Sequence, residues 1–373
     1  MKIESIAVHA GGEPDHGTGA VSPPIHLSTT FAHGPAGERV AGYEYQREGN
    51  PTQDRLEEML AAMEGGEAAL AFGSGMAAIS AALESLPPGA KLLYPSDCYT
   101  GTRVLASEFL PQRGVAAVAV DMTDLAAVSA AAGERCALIW AERPSNPQMK
   151  IADITGLAAI AHKAGAQLAC DNTFATPVLQ QPIALGADIV MHSTTKYFGG
   201  HSDCMGGALV FARRDGFFEK VAHRRHITGG ILSPFSAWLT LRGARSLPAR
   251  MAWHCRNARA LAEFLQGHAA VEAVHYPGLA KHPGHDVAKR QMSDFGGMLS
   301  FRLRGGREAA LALCAGLQLI TVATSLGGCE SLIEHRASVE GPNPVSPQNL
   351  LRFSVGLEAE ADLIEDLRQA LVG

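Results

Sequence analysis

The sequence predicts a mixed α/β fold: a mostly parallel sheet covered by helices on both faces, then a smaller α+β domain. Three observations predict it. Short apolar runs alternate with helical stretches from Ala68 to Phe211, the pattern of strands joined by crossover helices. The texture changes after about Leu247, where a long helical stretch leads into new strands. The polar residues with chemical character fall at the ends of the apolar runs, where parallel sheets gather ligands.

The elements follow in chain order. Met1 to Gly49 is rich in Gly, Pro, His and Thr and weakly periodic, so it reads as a poorly ordered terminus or a docking arm. From Thr52 the pattern turns helical, with Leu56, Met59, Leu60 and Met63 on one face. Thr52 reads as its N-cap and Gly65-Gly66 as its stop. Strands are expected at Ala68–Phe72, Lys91–Tyr94, Val115–Val120, Cys136–Trp140, Gln167–Cys170, Asp188–Met191 and Ala208–Phe211. Helices are expected between them, among them Met76–Ser85, Gly101–Leu110 and Ile154–Ala164. Beyond Leu247 the reading is a helix at Met251–Gln266, a strand at Met298–Leu303 and a last helix from Glu360.

Composition bounds the function. A chain of 373 residues with 47% hydrophobic and 18% charged residues buries a large core in two or three domains. The net charge of −6, with no long Lys/Arg run, argues against nucleic acid as a partner. Nothing is apolar for long enough to span a bilayer, and Met1 to Ala10 lacks a signal pattern. Seven cysteines stand singly, as in a reducing cytoplasm, so a cytoplasmic location is expected. His275, His282 and His285 lie in a Pro/Gly-rich stretch without a ligand pattern, so no metal is expected.

Three segments carry chemistry. Gly73-Ser74-Gly75-Met76-Ala77-Ala78 joins a strand to a helix, where glycines and free N–H groups suit an anion. It also fits a GxGxxA dinucleotide fingerprint, with Asp97 at ribose distance, or a simple tight turn. Asp171 ends a strand, where an acid pairs with a protonated ring nitrogen or caps a turn. Ser193-Thr194-Thr195-Lys196 follows another strand, with hydroxyls for a phosphate beside a lysine for an aldehyde. A nicotinamide dehydrogenase has no need of Asp171 and Lys196. An enzyme of pyridoxal 5′-phosphate (PLP) needs a phosphate cup, an acid and a lysine.

At this point the chain resembles the trans-sulfuration family of PLP enzymes: cystathionine γ-synthase, γ-lyase and β-lyase, methionine γ-lyase and homoserine-ester sulfhydrylases. Nine segments carry the resemblance, in order along nearly the whole chain. They are Tyr45–Thr52, Gly73–Met76, Asp97–Tyr99, Pro144–Pro147, Asp171–Thr173, Ser193–Tyr197, Ser325–Gly328, Glu330–Ile333 and Leu351–Glu358. The resemblance implies a fold type I (aspartate-aminotransferase-like) PLP domain at 49–246, an N-terminal arm at 1–48 and a C-terminal domain at 247–373. Lys196 would hold the aldehyde as a Schiff base and shuttle protons. Asp171 would pair with the ring nitrogen, and Tyr99 would stack on the ring and act near the leaving group. Gly75, Met76, Ser193 and Thr195 would bind the phosphate, and Asn146 would lie near the ring hydroxyl. Arg352, with Ser325 and Asn146, would hold the substrate carboxylate. Tyr45 and Arg47 would reach the phosphate of a neighbouring subunit in a homotetramer of two catalytic dimers.

The implied reaction is cleavage of a carbon–sulfur bond of cystathionine or a related amino acid, by γ- or β-elimination. If a thiol adds first, the enzyme is a synthase. Several positions depart from the family pattern. Thr324 stands where many γ-specific members carry Glu, and Gly327 where some β-lyases carry a Trp-containing motif. Gly101 stands where methionine γ-lyases tend to have Cys. Arg143 replaces a small residue near Asn146, Arg103 is one place early, and Ser338–Asn349 is short. Substrate choice rests on these positions.

Overall fold

The apolar runs between Ala68 and Phe211 form one seven-stranded sheet. The computed structural model describes residues 1–342 and 344–372. Its strands are β1 (Ala68–Phe72), β2 (Lys91–Pro95), β3 (Ala116–Val120), β4 (Cys136–Glu142), β5 (Gln167–Asp171), β6 (Ile189–His192) and β7 (Gly207–Phe211). Their order across the sheet is β1-β7-β6-β5-β4-β2-β3. Five neighbouring strands, β6-β5-β4-β2-β3, are parallel, while β7 runs against both β6 and β1. Every residue of β1, β6 and β7 is buried, which is why these runs are apolar without alternation.

Beyond Leu247 a second sheet forms from β8 (Val271–His275), β9 (Met298–Leu303), β10 (Thr321–Val322), β11 (Leu332–His335) and β12 (Leu350–Ser354). Its order is β10-β11-β12-β9-β8, antiparallel except at β10–β11. A separate apolar cluster, including Leu261, Leu265, Phe301, Phe353 and Leu367, packs this sheet against helices Leu247–Gly267 and Glu360–Val372.

Four details differ from the sequence reading. Ile3–His9 forms a helix, α1, where no element was expected, and its Ala7 enters the main core. Helix α2 (Pro51–Glu64) is capped by Asn50, which accepts from Thr52 N, and not by Thr52. Pro51 presets the first helical turn, so the cap falls one residue before it. After α3 (Gly75–Leu83), the expected helix Gly101–Leu110 is α4 (Thr100–Val104) followed by a wider π turn at Leu105–Phe109. The wider turn leaves Leu105, Ala106 and Leu110 together in the core. Finally, β4 and β5 run on to Glu142 and Asp171, so acids end two adjacent strands.

The two sheets meet at the segment after β6. Buried Arg250, on helix Leu247–Gly267, donates to Tyr197 O at 2.8 Å and to Gly243 O at 2.7 Å. It thereby pins the backbone beside Lys196. Arg250→Met is expected to strand the Tyr197 carbonyl and cost about 1–3 kcal/mol, while Gly243 O keeps its bonds from Ser246 N and Oγ. A lowered unfolding midpoint in urea is the measurement that checks it.

Candidate active site

A cavity of about 590 Å³ opens where the ends of β4, β5 and β6 face the second sheet. Residues from both sheets line it, among them Tyr99, Asp171, Lys196, Ser325 and Arg352. Gly75, Met76, Asn146, Ser193 and Thr195 line it too. The structure therefore brings all the expected site residues to one cavity except Tyr45 and Arg47. Those two line a separate hollow with Thr30, His33 and Glu48, and Arg47 donates to His226 O at 3.0 Å.

One end of the cavity is built for an anion. Ser74 caps α3, accepting from Ala77 N at 3.0 Å, so the first turn of the helix opens toward Ser193. A Cβ on Gly75 would sit 3.1 Å from Ser193 Oγ and 3.2 Å from Met191 Cε, so only glycine leaves the cup clear. Thr195 Oγ1 is tied to Gly206, donating to its carbonyl at 3.1 Å and accepting from its N–H at 3.0 Å.

The floor is acidic. Asp171 Oδ1 accepts from Thr173 N at 3.0 Å, and among the described residues it forms no salt bridge. Burial raises its pKa above the ordinary carboxylate value. Glu142, at the end of the adjacent strand, holds two backbone groups: it accepts from Tyr99 N at 2.8 Å and from Asn146 N at 3.1 Å. Burial first, and then the charge of Asp171, push its carboxyl up as well. An acid without a counter-ion facing a cavity suits a protonated ring nitrogen.

Lys196 lies across from Asp171's end of the floor, and its Nζ donates to Ser325 Oγ at 2.6 Å. Burial, with the nearby Arg352, lowers its pKa to about 8. A larger share is therefore the free amine, the form that attacks an aldehyde. Ser325 holds φ +79°, a backbone state that costs a non-glycine residue about 1–3 kcal/mol. Its neighbour Gly327 passes so close to Tyr197 that a Cβ would lie 2.7 Å from Tyr197 N. Arg352 on β12 is buried, donates to Ser325 O at 2.8 Å and to Asn146 Oδ1 at 3.3 Å, and lies 3.1 Å from Glu334.

The glycine run does not open a dinucleotide unit. Strand β1 before it is at the sheet edge and antiparallel to its neighbour, so no βαβ crossover forms there. Asp97 does not line the cavity. It accepts from Ser145 Oγ at 2.7 Å and lies 3.7 Å from Lys150 Nζ. Arg143 is buried behind the cavity and donates to Glu142 O at 2.7 Å. Thr324 lines the cavity, and Gly101 leaves room for Tyr99, since a Cβ there would come 2.8 Å from the ring. Asn343, within the short Ser338–Asn349 segment, lies outside the described residues.

Sequence reasoning passed over Glu142, Glu334 and Arg336, all of which line the cavity. Glu142 carried a usable signal, an acid at a strand end like Asp171. Glu334 and Arg336 did not, because what brings them to the cavity is Arg352 and Thr100, distant in sequence, and their contact with each other reads as an ordinary local ion pair.

Comparison with known proteins agrees with this geometry. The family model for Cys/Met metabolism PLP-dependent enzymes matches residues 4–372. The chain belongs to this family. Cystathionine gamma-synthase of Mycobacterium tuberculosis (strain ATCC 25618 / H37Rv) is 50% identical over 98% of the chain and 95% of its own length. Cystathionine gamma-lyase of Bacillus subtilis (strain 168) is 42% identical, covering 100% and 99%. The crystal structure of cystathionine gamma synthase from Xanthomonas oryzae pv. oryzae, in complex with aminoacrylate and cysteine, is 42% identical. It superposes with a TM-score of 0.93 over 100% of this chain and 98% of that one. The family is PLP-dependent and the fold is that of its solved members.

Two outcomes are expected. Gly75→Val closes the anion cup and weakens PLP binding by about tenfold or more, read by titrating the apo-protein. Capture of PLP by the apo-protein rises with pH through a midpoint near 8, where about half of Lys196 is the neutral amine. The rate of borohydride-trapped adduct at Lys196 against pH measures it.

Proposed function

We propose that the protein catalyses γ-replacement, joining cysteine to an activated homoserine to form cystathionine. The observation that carries the chemistry is one cavity holding the Lys196 amine, the unpaired Asp171 and Arg352. The synthase reading rests on the 50% identity to a cystathionine gamma-synthase over 98% of the chain. γ-Elimination of cystathionine, the reaction that sequence reasoning puts first, is the second reading, favoured by the 42% identity to a cystathionine gamma-lyase.

The proposed roles are those that the family resemblance implies, and the gathering of these residues in one cavity supports them. Gly75, Met76, Ser193 and Thr195 hold the PLP phosphate, Asp171 the ring nitrogen, Asn146 the ring hydroxyl edge and Lys196 the aldehyde. Bound PLP supplies the sink for electrons released at the amino acid's α-carbon. Arg352, aided by Ser325 and Asn146, fixes the α-carboxylate, and so aims the α-proton at Lys196. Lys196, whose pKa burial lowers from the ordinary lysine value, is the group that removes that proton and then moves a second proton at Cβ. Tyr99, which lines the cavity, would pack against the ring and serve the leaving group at Cγ.

We also propose that Tyr45 and Arg47 complete the phosphate site of a neighbouring copy. Their position outside their own chain's cavity supports that reading. With it go a homotetramer of two catalytic dimers, the division at residues 48 and 246, and a cytoplasmic location. Among the described residues no helix is long and apolar enough to cross a membrane.

A substrate panel tests the function. Cystathionine is expected from cysteine plus an O-acyl homoserine, at a higher rate than keto acid forms from cystathionine alone. Keto acid as the dominant product in the presence of cysteine would overturn the synthase reading in favour of the lyase. Lys196→Ala is expected to abolish both reactions along with the visible absorption band of the holoenzyme.

A further inference from the structure

Arg352 shares its counter-ion with a second arginine. Arg352 Nε lies 3.1 Å from Glu334 Oε1, and Arg336 Nη1 donates to the same oxygen at 2.9 Å. Glu334 and Arg352 face each other across the β11–β12 ladder, and Arg336 follows directly after β11. All three side chains are buried, and all three line the cavity.

Arg336 is itself fixed from two sides. Its Nε donates to Glu340 Oε1 at 3.2 Å, and its Nη2 lies 3.5 Å from Thr100 Oγ1, the residue after Tyr99. Glu340 in turn accepts from Val345 N, Ser346 N and Ser346 Oγ, which hold it in place without a further cation. Arg336 therefore cannot swing away from Glu334 without breaking contacts on both sides of the cavity mouth.

The charge balance gives this arrangement a consequence. A buried carboxylate beside a single arginine forms a closed, neutral pair. An incoming α-carboxylate would then have to compete with Glu334 for the guanidinium. Two guanidiniums on one oxygen divide that carboxylate. Glu340 also pairs with Arg336, so the cluster as a whole is balanced, but Arg352 shares Glu334 with Arg336 instead of holding it alone, while its contacts to Asn146 and Ser325 keep it in place.

We propose that Arg336 is a positioning residue: by engaging Glu334 it leaves Arg352 available to the α-carboxylate of the amino-acid substrate. The proposal rests on Arg352 as the carboxylate site, and it extends that reading to a residue acting through another.

The test measures binding of L-norvaline, an amino acid with no leaving group, to holoenzyme by calorimetry, with thermal midpoints alongside. Arg336→Met is expected to weaken binding by about tenfold. The decisive variant is Arg336→Met combined with Glu334→Gln, which removes the competing charge and is expected to recover affinity to within about threefold of wild type. Arg336→Lys, which keeps the charge, is expected to fall between wild type and Arg336→Met. Unchanged affinity in Arg336→Met overturns the proposal. So does a double variant that binds no more tightly than Arg336→Met, because Arg336 then touches the ligand directly or serves only to hold the fold. Failure of the wild type to bind L-norvaline overturns the carboxylate-site reading, and the inference with it. A wild type that binds L-norvaline but makes no cystathionine leaves the inference standing and rejects only the proposed reaction.

Discussion

Lys196 follows a strand of the first sheet and Ser325 lies between two strands of the second, and their contact at 2.6 Å is made across the junction between the sheets. Most of the site depends on that junction staying closed. It desolvates the lysine, and desolvation is the main cause of the lowered pKa. It also sets Arg352 against Asn146, so the two ends of a bound amino acid are gripped by different parts of the chain. Local structure holds the junction from both sides. Arg250 ties the backbone at Tyr197, and Gly327 N donates to Ser354 Oγ at 2.9 Å beneath the Ser325 turn. The positive φ of Ser325 is held by these contacts and would relax without them.

Electrostatics in the cavity divides by depth. Acids, Asp171 and Glu142, end neighbouring parallel strands on the floor. Arg336 and Arg352 come from the second sheet's part of the chain with Glu334 between them, and Lys196 follows β6, the strand beside that of Asp171. A molecule with a basic ring on one side and a carboxylate on the other meets complementary charge at both ends. Glu142 adds a mechanical role. It spans from the Tyr99 loop to Asn146, so one carboxylate sets the height of both groups above the floor.

Much of this was legible in the sequence where the signal is local. Seven apolar runs gave seven strands, and Asp171 and Lys196 stood out because each follows a run that could only be a buried strand. The Gly73-Ser74-Gly75 turn was legible as an anion cup, but not as distinct from a dinucleotide turn. That distinction needed β1 to be seen as an antiparallel edge strand, a fact of topology. Helix α1 escaped because seven residues carry too little periodicity, and its stability comes from packing on α2 and helix Leu247–Gly267. Glu334 and Arg336 escaped because their meaning lies in Arg352 and Thr100, reached only through folding.

The position of α1 changes what the segment between His9 and Pro51 is. With α1 packed at one end and α2 at the other, the segment is a closed loop pinned to its own subunit at both ends. Further ties lie between: Trp238 Nε1 donates to Pro23 O, and Asn50 Nδ2 donates to His26 O. A tethered loop samples far fewer shapes than a free tail of the same length. Its ordering against another surface therefore gives up less chain entropy, and closure cost grows only by about 0.6 kcal/mol per doubling of length. Helix α1 thus serves as the far anchor of a loop that carries the exposed Tyr45 and, held to His226, Arg47.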